Sequence, residues 1–379
     1  MARLAPSGES AEFIPKDVRA LHDRLEGMAR ESKRRGRRPY RTGDEAIDVG
    51  ISDLVQAIEL EGDGDADLLR EMVTAVARMA RNGADRGELK LVNAALKEFA
   101  YAFKIFKEYR GRRKVGIFGS ARSQPKDPNY ERTRDFASAM VKEGWMVITG
   151  AGPGIMAAGH EGAGAEHSFG AAIRLPMEAE PNEFIEGDPK LINFKYFFTR
   201  KVTFLKESDA FVLVPGGFGT LDEAFELLTL MQTGKSDLKP VVLLEDVGNR
   251  YWQDWLGFVR EHMIGRGLIS SDDLFMVHDT KDVADAVQHV ARFYHNYQSQ
   301  RYVRGTLVLR LRRIPPESVL AELNETFADI LGSDGLRQVD ASAQEIADDD
   351  ALDQERLAVD FDRTNFGRLR LLIDELNAY

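Results

Sequence analysis

Between Val115 and His278 the chain alternates six short apolar runs, VGIFG, MVITG, GAAIRLP, AFVLVP, PVVLLE and LFMVH, with longer stretches of helical periodicity. A short, continuous apolar run without polar alternation is a strand buried on both faces, and such strands belong to parallel sheets covered by helices. The segments between the runs predict helices around Tyr130–Glu143, from Gly154, through Phe198–Lys201, and over Thr220–Gln232, Trp252–Arg266 and Asp282–Tyr297. The alternation predicts an α/β fold, a Rossmann-like doubly wound parallel sheet.

At 379 residues the chain exceeds the roughly 250 to 300 residues at which a single core stops growing, so flanking parts are expected. Apolar residues recur at helical spacing through Ile47, Ile51, Leu54, Val55 and Ile58, through Leu68 to Met79, and through Leu89 to Phe106. They predict a helical N-terminal region over 1–110, with a basic linker at 33–43 broken by Gly36, Pro39 and Gly43. The α/β domain is expected over 111–300. Beyond it, strand TLVLRLRR, a helix over Pro316–Leu331, strand LAVDFD and a helix over Gly367–Asn377 predict a small α+β domain over 301–379, of ferredoxin or ACT-like type.

Composition removes whole classes of chemistry. There is no cysteine, which excludes disulfides, thiolate metal sites and cysteine nucleophiles. His160 and Glu161 are followed next by His167, so the helical H-E-x-x-H zinc spacing is absent and no metal site is expected. A net charge of −11 disfavours nucleic acid as a partner, and the basic linker reads as solvated surface. No apolar run reaches the roughly 18 residues of a membrane span and the N-terminus lacks a signal-peptide pattern, so the protein is expected in the cytoplasm and off the membrane.

The most specific run is PGGFGTLDE, Pro215 to Glu223, which follows a strand and opens an amphipathic helix. Gly216, Gly217 and Gly219 let the backbone approach a ligand. The first amides of the helix then offer an anion site suited to phosphate, and Thr220 adds a hydroxyl. Asp222 and Glu223 bring carboxylates within the first helical turn. Gly119 and Ser120, at the carboxyl end of the first strand, stand where doubly wound folds bind ligands. A second glycine cluster, with Gly152 and Gly154, also joins strand to helix, but Ile155 replaces the last glycine of a dinucleotide fingerprint. Arg200 and Lys201 supply two adjacent cations suited to a phosphate or a departing group. Thr233 to Ser236 imitates the end of a phosphate-binding P-loop, yet it follows a helix instead of a strand.

Together these residues resemble the LONELY GUY (LOG) family, long labelled possible lysine decarboxylases. Its P-G-G-x-G-T-x-x-E signature is matched at Pro215, Gly216, Gly217, Gly219, Thr220 and Glu223, and its R-K pair at Arg200 and Lys201. The resemblance covers roughly Lys114 to Tyr294. It implies hydrolysis of the N-glycosidic bond of a nucleoside 5'-monophosphate, AMP or an N6-modified cytokinin-type purine, to free base and ribose 5-phosphate. It also implies catalytic roles for Arg200 and Glu223, a base-side or ribose-side role for Glu178 in Leu-Pro-Met-Glu, and a homodimer or higher homo-oligomer. Pyridoxal phosphate would need an anchoring lysine, and no lysine has a context for one, so no cofactor is implied. A nucleotide effector acting through the flanking regions is a further expectation. The alternative reading is a non-catalytic nucleotide-sensing protein that uses the same pocket.

Overall fold

Strand β1 (Lys114–Phe118) is buried at every position, Val115 to Phe118 as an apolar run with no polar face and Lys114 with its ammonium donating to the Tyr109 and Arg112 carbonyls. It lies at the centre of a seven-stranded sheet in a computed structural model that describes residues 40–58, 63–174 and 180–379. Residues 33–39 of the linker and Glu178 lie outside the described residues. Contacts divide the chain into two compact units, Met1–Leu91 and Val92–Tyr379.

In the first unit, α1 (Glu45–Ala57) starts at Asp44, whose carboxylate accepts the Ala46 and Ile47 amides and pairs with Arg81 from α2 (Asp63–Arg81) at 2.8 Å. Helix α3 (Arg86–Lys107) runs into the second unit.

There the sheet contains β1, β2 (Met146–Thr149), β3 (Ser168–Ile173), β4 (Leu191–Phe194), β5 (Ala210–Leu213), β6 (Val241–Leu244) and β7 (Val277–Thr280). All pairs are parallel, in the order β4-β3-β2-β1-β5-β6-β7. The order reverses between β1 and β5, which opens a crevice at their carboxyl ends. The helices between its strands are α4 (Pro128–Lys142), α5 (Ile155–Ala163), α6 (Phe197–Glu207), α7 (Phe218–Gln232) and α8 (Tyr251–Phe258), and α9 (Val283–Phe293) follows β7. Helices α4 and α5 cross closely because Gly162 has no side chain: a Cβ there would stand 2.0 Å from the Arg134 carbonyl oxygen.

Several boundaries differ from the sequence expectation. Strand β4 was not anticipated, because an edge strand of four residues leaves too little apolar pattern. The first half of LFMVH coils into a 3₁₀ turn, Ser271–Met276, capped by Ser270 and Asp273, and the strand follows as the more polar sheet edge β7. The helix expected to Arg266 ends at Phe258 and continues as a wide π turn, Val259–Ile264. The helix expected to Tyr297 stops at Phe293.

Tyr297 instead begins β8 (Tyr297–Val303), which pairs with β9 (Thr306–Leu311) in a second, four-stranded antiparallel sheet. Its other members are β10 (Leu331–Gln338), which starts at the last residue of the expected helix in a stretch where no strand was expected, and β11 (Glu355–Phe361). Helix α10 (Glu317–Thr326) links β9 to β10, the short α11 (Ala343–Ala347) links β10 to β11, and α12 (Phe366–Leu376) ends the chain. With the five-residue α11 counted as part of a loop, the order β10-β11-β9-β8 and ββαββα connectivity are those of a ferredoxin-like sheet entered one strand late, not βαββαβ. A single hydrophobic cluster runs through both sheets, from Ala102 to Leu376. Among the described residues no helix is long and apolar enough to cross a membrane.

Candidate active site

The crevice at the β1/β5 reversal is bounded by two turns that hydrogen-bond to one another. The Val214 amide donates to the Phe118 carbonyl at 2.8 Å and the Ser120 amide to that of Pro215 at 3.2 Å. After Pro215 the chain enters α7 with Gly217 as N-cap and no capping side chain. The Thr220 and Leu221 amides bond to the Gly217 carbonyl, while those of Gly217, Phe218 and Gly219 have no partner among the described residues. Unpartnered amides at the positive end of a helix form an anion site. Gly216 is required by space, since a Cβ would lie 2.1 Å from Thr220 Oγ1 and 3.0 Å from the Ser120 nitrogen. The Tyr251 hydroxyl, from α8, donates to the Gly216 carbonyl at 2.7 Å and fixes the loop from behind.

These turns enclose a cavity of about 690 Å³. Gly119 and Ser120 form one wall and Gly216 to Glu223 the other, while Met156, Phe197 and Arg200 close the sides. Phe218 stands 94% exposed at the rim.

Arg200 and Glu223 meet inside it. Both are buried, with Arg200 Nη1 3.6 Å from Glu223 Oε1 and Arg200 Nε donating to the Ala171 carbonyl at 2.9 Å. Burial pushes the Glu223 carboxyl above its ordinary 4.5, outweighing the opposing pull of Arg200 and Lys201. Burial also lowers the Arg200 pKa, although a guanidinium stays charged. Arg200 is carried by α6, whose first turn is held by Glu98 of α3: one carboxylate oxygen accepts the Thr199 hydroxyl at 2.5 Å and the other the Lys195 amide at 2.9 Å. Lys201 faces away from the cavity and pairs with Asp222 at 2.8 Å and Glu226 at 2.6 Å. One residue along a helix turns the side chain by about 100°, which separates it from Arg200. Burial works against the Lys201 charge, but the two carboxylates outweigh it and raise its pKa. Asp222 lines the cavity with a largely exposed side chain.

Gly152 and Gly154, expected to touch ligand, do not line this cavity. Gly154, at φ +69°, packs against the first turn, where a Cβ would be 2.3 Å from the Ser120 carbonyl oxygen. The Gly152 carbonyl accepts from Asn182 Nδ2 at 2.9 Å. Sequence reasoning missed Glu98, Tyr251 and Asn182, since each acts on a loop or helix far along the chain and no local spacing marks it. Among the described residues no three His, Asp or Glu side chains converge on a metal-sized site.

A family model described as possible lysine decarboxylase matches residues 152–290. Cytokinin riboside 5'-monophosphate phosphoribohydrolase LOG1 of Arabidopsis thaliana is 36% identical over 107 residues, 28% of this chain and 47% of that protein. LOG3 of the same plant is 29% identical over 163 residues, 42% of this chain and 72% of that one. The α/β segment is similar to the LOG phosphoribohydrolases. The bacterial phosphoribohydrolase of Rhodococcoides fascians is 38% identical over 88 residues, 23% of this chain and 42% of that protein. The chain thus spans about half the length of several curated relatives it matches. The molybdenum cofactor carrier protein of Chlamydomonas reinhardtii is 22% identical, with a TM-score of 0.33, and the match covers 48% of this chain and 97% of that one. A likeness at that level carries no functional argument.

Proposed function

We propose that the chain hydrolyses the N-glycosidic bond of a purine nucleoside 5'-monophosphate, AMP or an N6-modified relative, releasing free base and ribose 5-phosphate. The observation that carries this reading is a buried carboxylate of raised pKa, Glu223, beside a row of unpartnered helix amides in one cavity. The names of the plant and bacterial relatives support the same chemistry.

In this reading the 5'-phosphate sits on the Gly217, Phe218 and Gly219 amides, with Ser120 and Thr220 alongside. Fixing the phosphate holds the ribose, so that remote binding energy is spent on orienting the anomeric carbon. The bond from that carbon to the base nitrogen breaks with its electron pair leaving on the base. Water then attacks the oxocarbenium-like carbon. Glu223 stabilises the positive ribose, takes the water's proton and passes it to the departed base nitrogen, which leaves the base neutral and Glu223 a carboxylate again, while Arg200, 3.6 Å away, steadies the ribose hydroxyls or the departing base. A carboxylate held out of solvent interacts more strongly with that developing charge than one in water.

Incubation with a panel of nucleoside monophosphates, with free base read by chromatography, tests the proposal. Glu223→Gln keeps the shape and loses the base, so turnover is expected to fall at least about 100-fold with binding retained. Wild-type nucleotide binding without base release, for every member of the panel, would instead favour the nucleotide-sensing alternative.

A further inference from the structure

The turn between β2 and α5 contains a residue in an unfavourable conformation. Ala151 has φ +62°, in the left-handed region that L residues other than Asn and Asp seldom occupy. A turn of this kind persists only where its surroundings hold it. The surroundings are a buried ring of hydrogen bonds. The Asn182 amide donates to the Ala151 carbonyl at 2.9 Å, and Asn182 Nδ2 donates to that of Gly152 at 2.9 Å. His160 Nδ1 lies 3.2 Å from both Nδ2 and Oδ1 of that side-chain amide. His160, fully buried, places Nε2 3.0 Å from the Phe169 carbonyl oxygen and 3.0 Å from Thr149 Oγ1, which also accepts the Ala151 amide. A carbonyl only accepts, so Nε2 carries the proton and Nδ1 is free to accept from Asn182. Burial lowers the His160 pKa and keeps the ring in this neutral form.

What the turn supports is the Arg200 side chain. A Cβ on Gly150 would stand 2.9 Å from Arg200 Nη2, so the guanidinium rests directly on this backbone. Among the described residues its one hydrogen bond to the backbone is from Nε to the Ala171 carbonyl. Met156, a cavity wall, lies over the same turn: a Cβ at Gly152 would be 2.6 Å from its methyl carbon.

We propose that Asn182, oriented by His160, is a positioning residue that clamps the Gly150–Gly154 turn in its left-handed form and thereby fixes the Arg200 guanidinium opposite Glu223. The inference rests on the reading of Arg200 as part of a nucleotide-hydrolysing site. Asn182→Ala removes the side-chain clamp, and kcat is expected to fall tenfold or more while KM stays within threefold, since the phosphate loop at Gly216 to Thr220 is untouched. Ala151→Gly in the same chain lets the turn adopt its conformation without the clamp, because glycine accepts positive φ freely. The double variant is therefore expected to recover kcat to within about threefold of wild type. A purely structural role for Asn182 predicts no such rescue. If Asn182→Ala does not fold, Asn182→Asp keeps the side-chain size and loses the donor to Gly152, and it carries the same test.

A second readout separates this inference from the enzymatic one. In arginine-labelled protein the Arg200 Nε–H resonance, assigned by its loss in Arg200→Lys, is expected to be protected from exchange. It should lose protection in Asn182→Ala and regain it with Ala151→Gly. If wild type shows no turnover, the proposed function falls and this signal still decides the clamp. An Arg200 resonance that does not respond to Asn182, or a kcat loss that Ala151→Gly leaves unrepaired, overturns it.

Discussion

Neighbouring glycines in the phosphate loop are expected to respond in opposite ways to the same substitution. A Cβ on Gly216 would lie 2.1 Å from Thr220 Oγ1, 2.9 Å from Thr220 Cβ and 3.0 Å from the Ser120 nitrogen, so Gly216→Ala must push the two turns apart. A Cβ on Gly217 meets nothing within 4 Å, and its φ of −89° suits any residue. Overpacking at Gly216 costs roughly 1 to 3 kcal/mol of stability. The larger effect is on the ligand: displacing two amides from a phosphate forfeits about 1.5 to 3 kcal/mol each. That amounts to roughly two to four orders of magnitude in kcat/KM. Gly217→Ala changes an N-cap from glycine to alanine, a loss of about 1 kcal/mol or less, and should keep kcat/KM within about fivefold. Steady-state kinetics on AMP, with thermal unfolding run in parallel to confirm folded protein, compares the pair. Equal damage from both, or an active Gly216→Ala enzyme, would refute the steric argument and the phosphate assignment built on it.

If Glu223 acts as a carboxylate, kcat/KM should fall on the acid side of a limb lying above pH 4.5, because burial raises its pKa; Arg200→Gln, which removes a charge that lowers it, should move the limb higher still. A pH–rate profile with no acid limb above the ordinary carboxylate range speaks against that role. In the proposed function the Gly217 to Gly219 amides hold the 5'-phosphate, which adenosine lacks, so its cleavage should be slower than that of AMP by several orders of magnitude, measured as base released; equal rates would remove the phosphate site. In the second sheet, Glu345 is opposed by burial but held down to a pKa of about 2 by Ser342, Arg310 and Arg356. A lowered pKa stabilises above the unfolded value near 4.5 and is lost as pH falls toward 2, so Glu345→Gln should be less stable at pH 7 by roughly 3 kcal/mol, and the gap in urea midpoints should close over that window.

The central strands could be read from the chain because burial on both faces writes itself as an uninterrupted apolar run, as in Val115 to Phe118 and Ala210 to Val214. The edges could not. Strand β4 is four residues long, and β7, β8 and β10 carry His278, Gln298, Ser299 and Asp334 because one face or one side of each is not covered by protein. Missing β8 and β10 also concealed the ββαββα order of the second sheet. At the candidate site, the residues of the glycine loop are contiguous, and Arg200 drew notice as one of two adjacent cations on a helix before a buried strand. Those that hold them in place were hidden. Glu98 reaches Thr199 across 101 residues and Tyr251 reaches Gly216 across 35, distances over which sequence spacing has no periodicity to display.

Helix α7 carries the glycine loop at one end, and at the other its C-terminal turn runs into Gly234, where a Cβ would stand 2.2 Å from the ring of Phe366 at the start of α12. Gly367, the next residue, is pressed as tightly onto the Asp272 carbonyl. The chain's last helix is therefore a cast of the ground it sits on, and the two have to vary together. Exchanging the terminal segment between relatives, or trimming the chain back to its α/β part, becomes a joint design problem at Gly234, Asp272, Phe366 and Gly367. In a lineage that shed the segment, the glycine at 234 would lose the neighbour that excludes a side chain, and any residue that tolerates its positive φ would become admissible there.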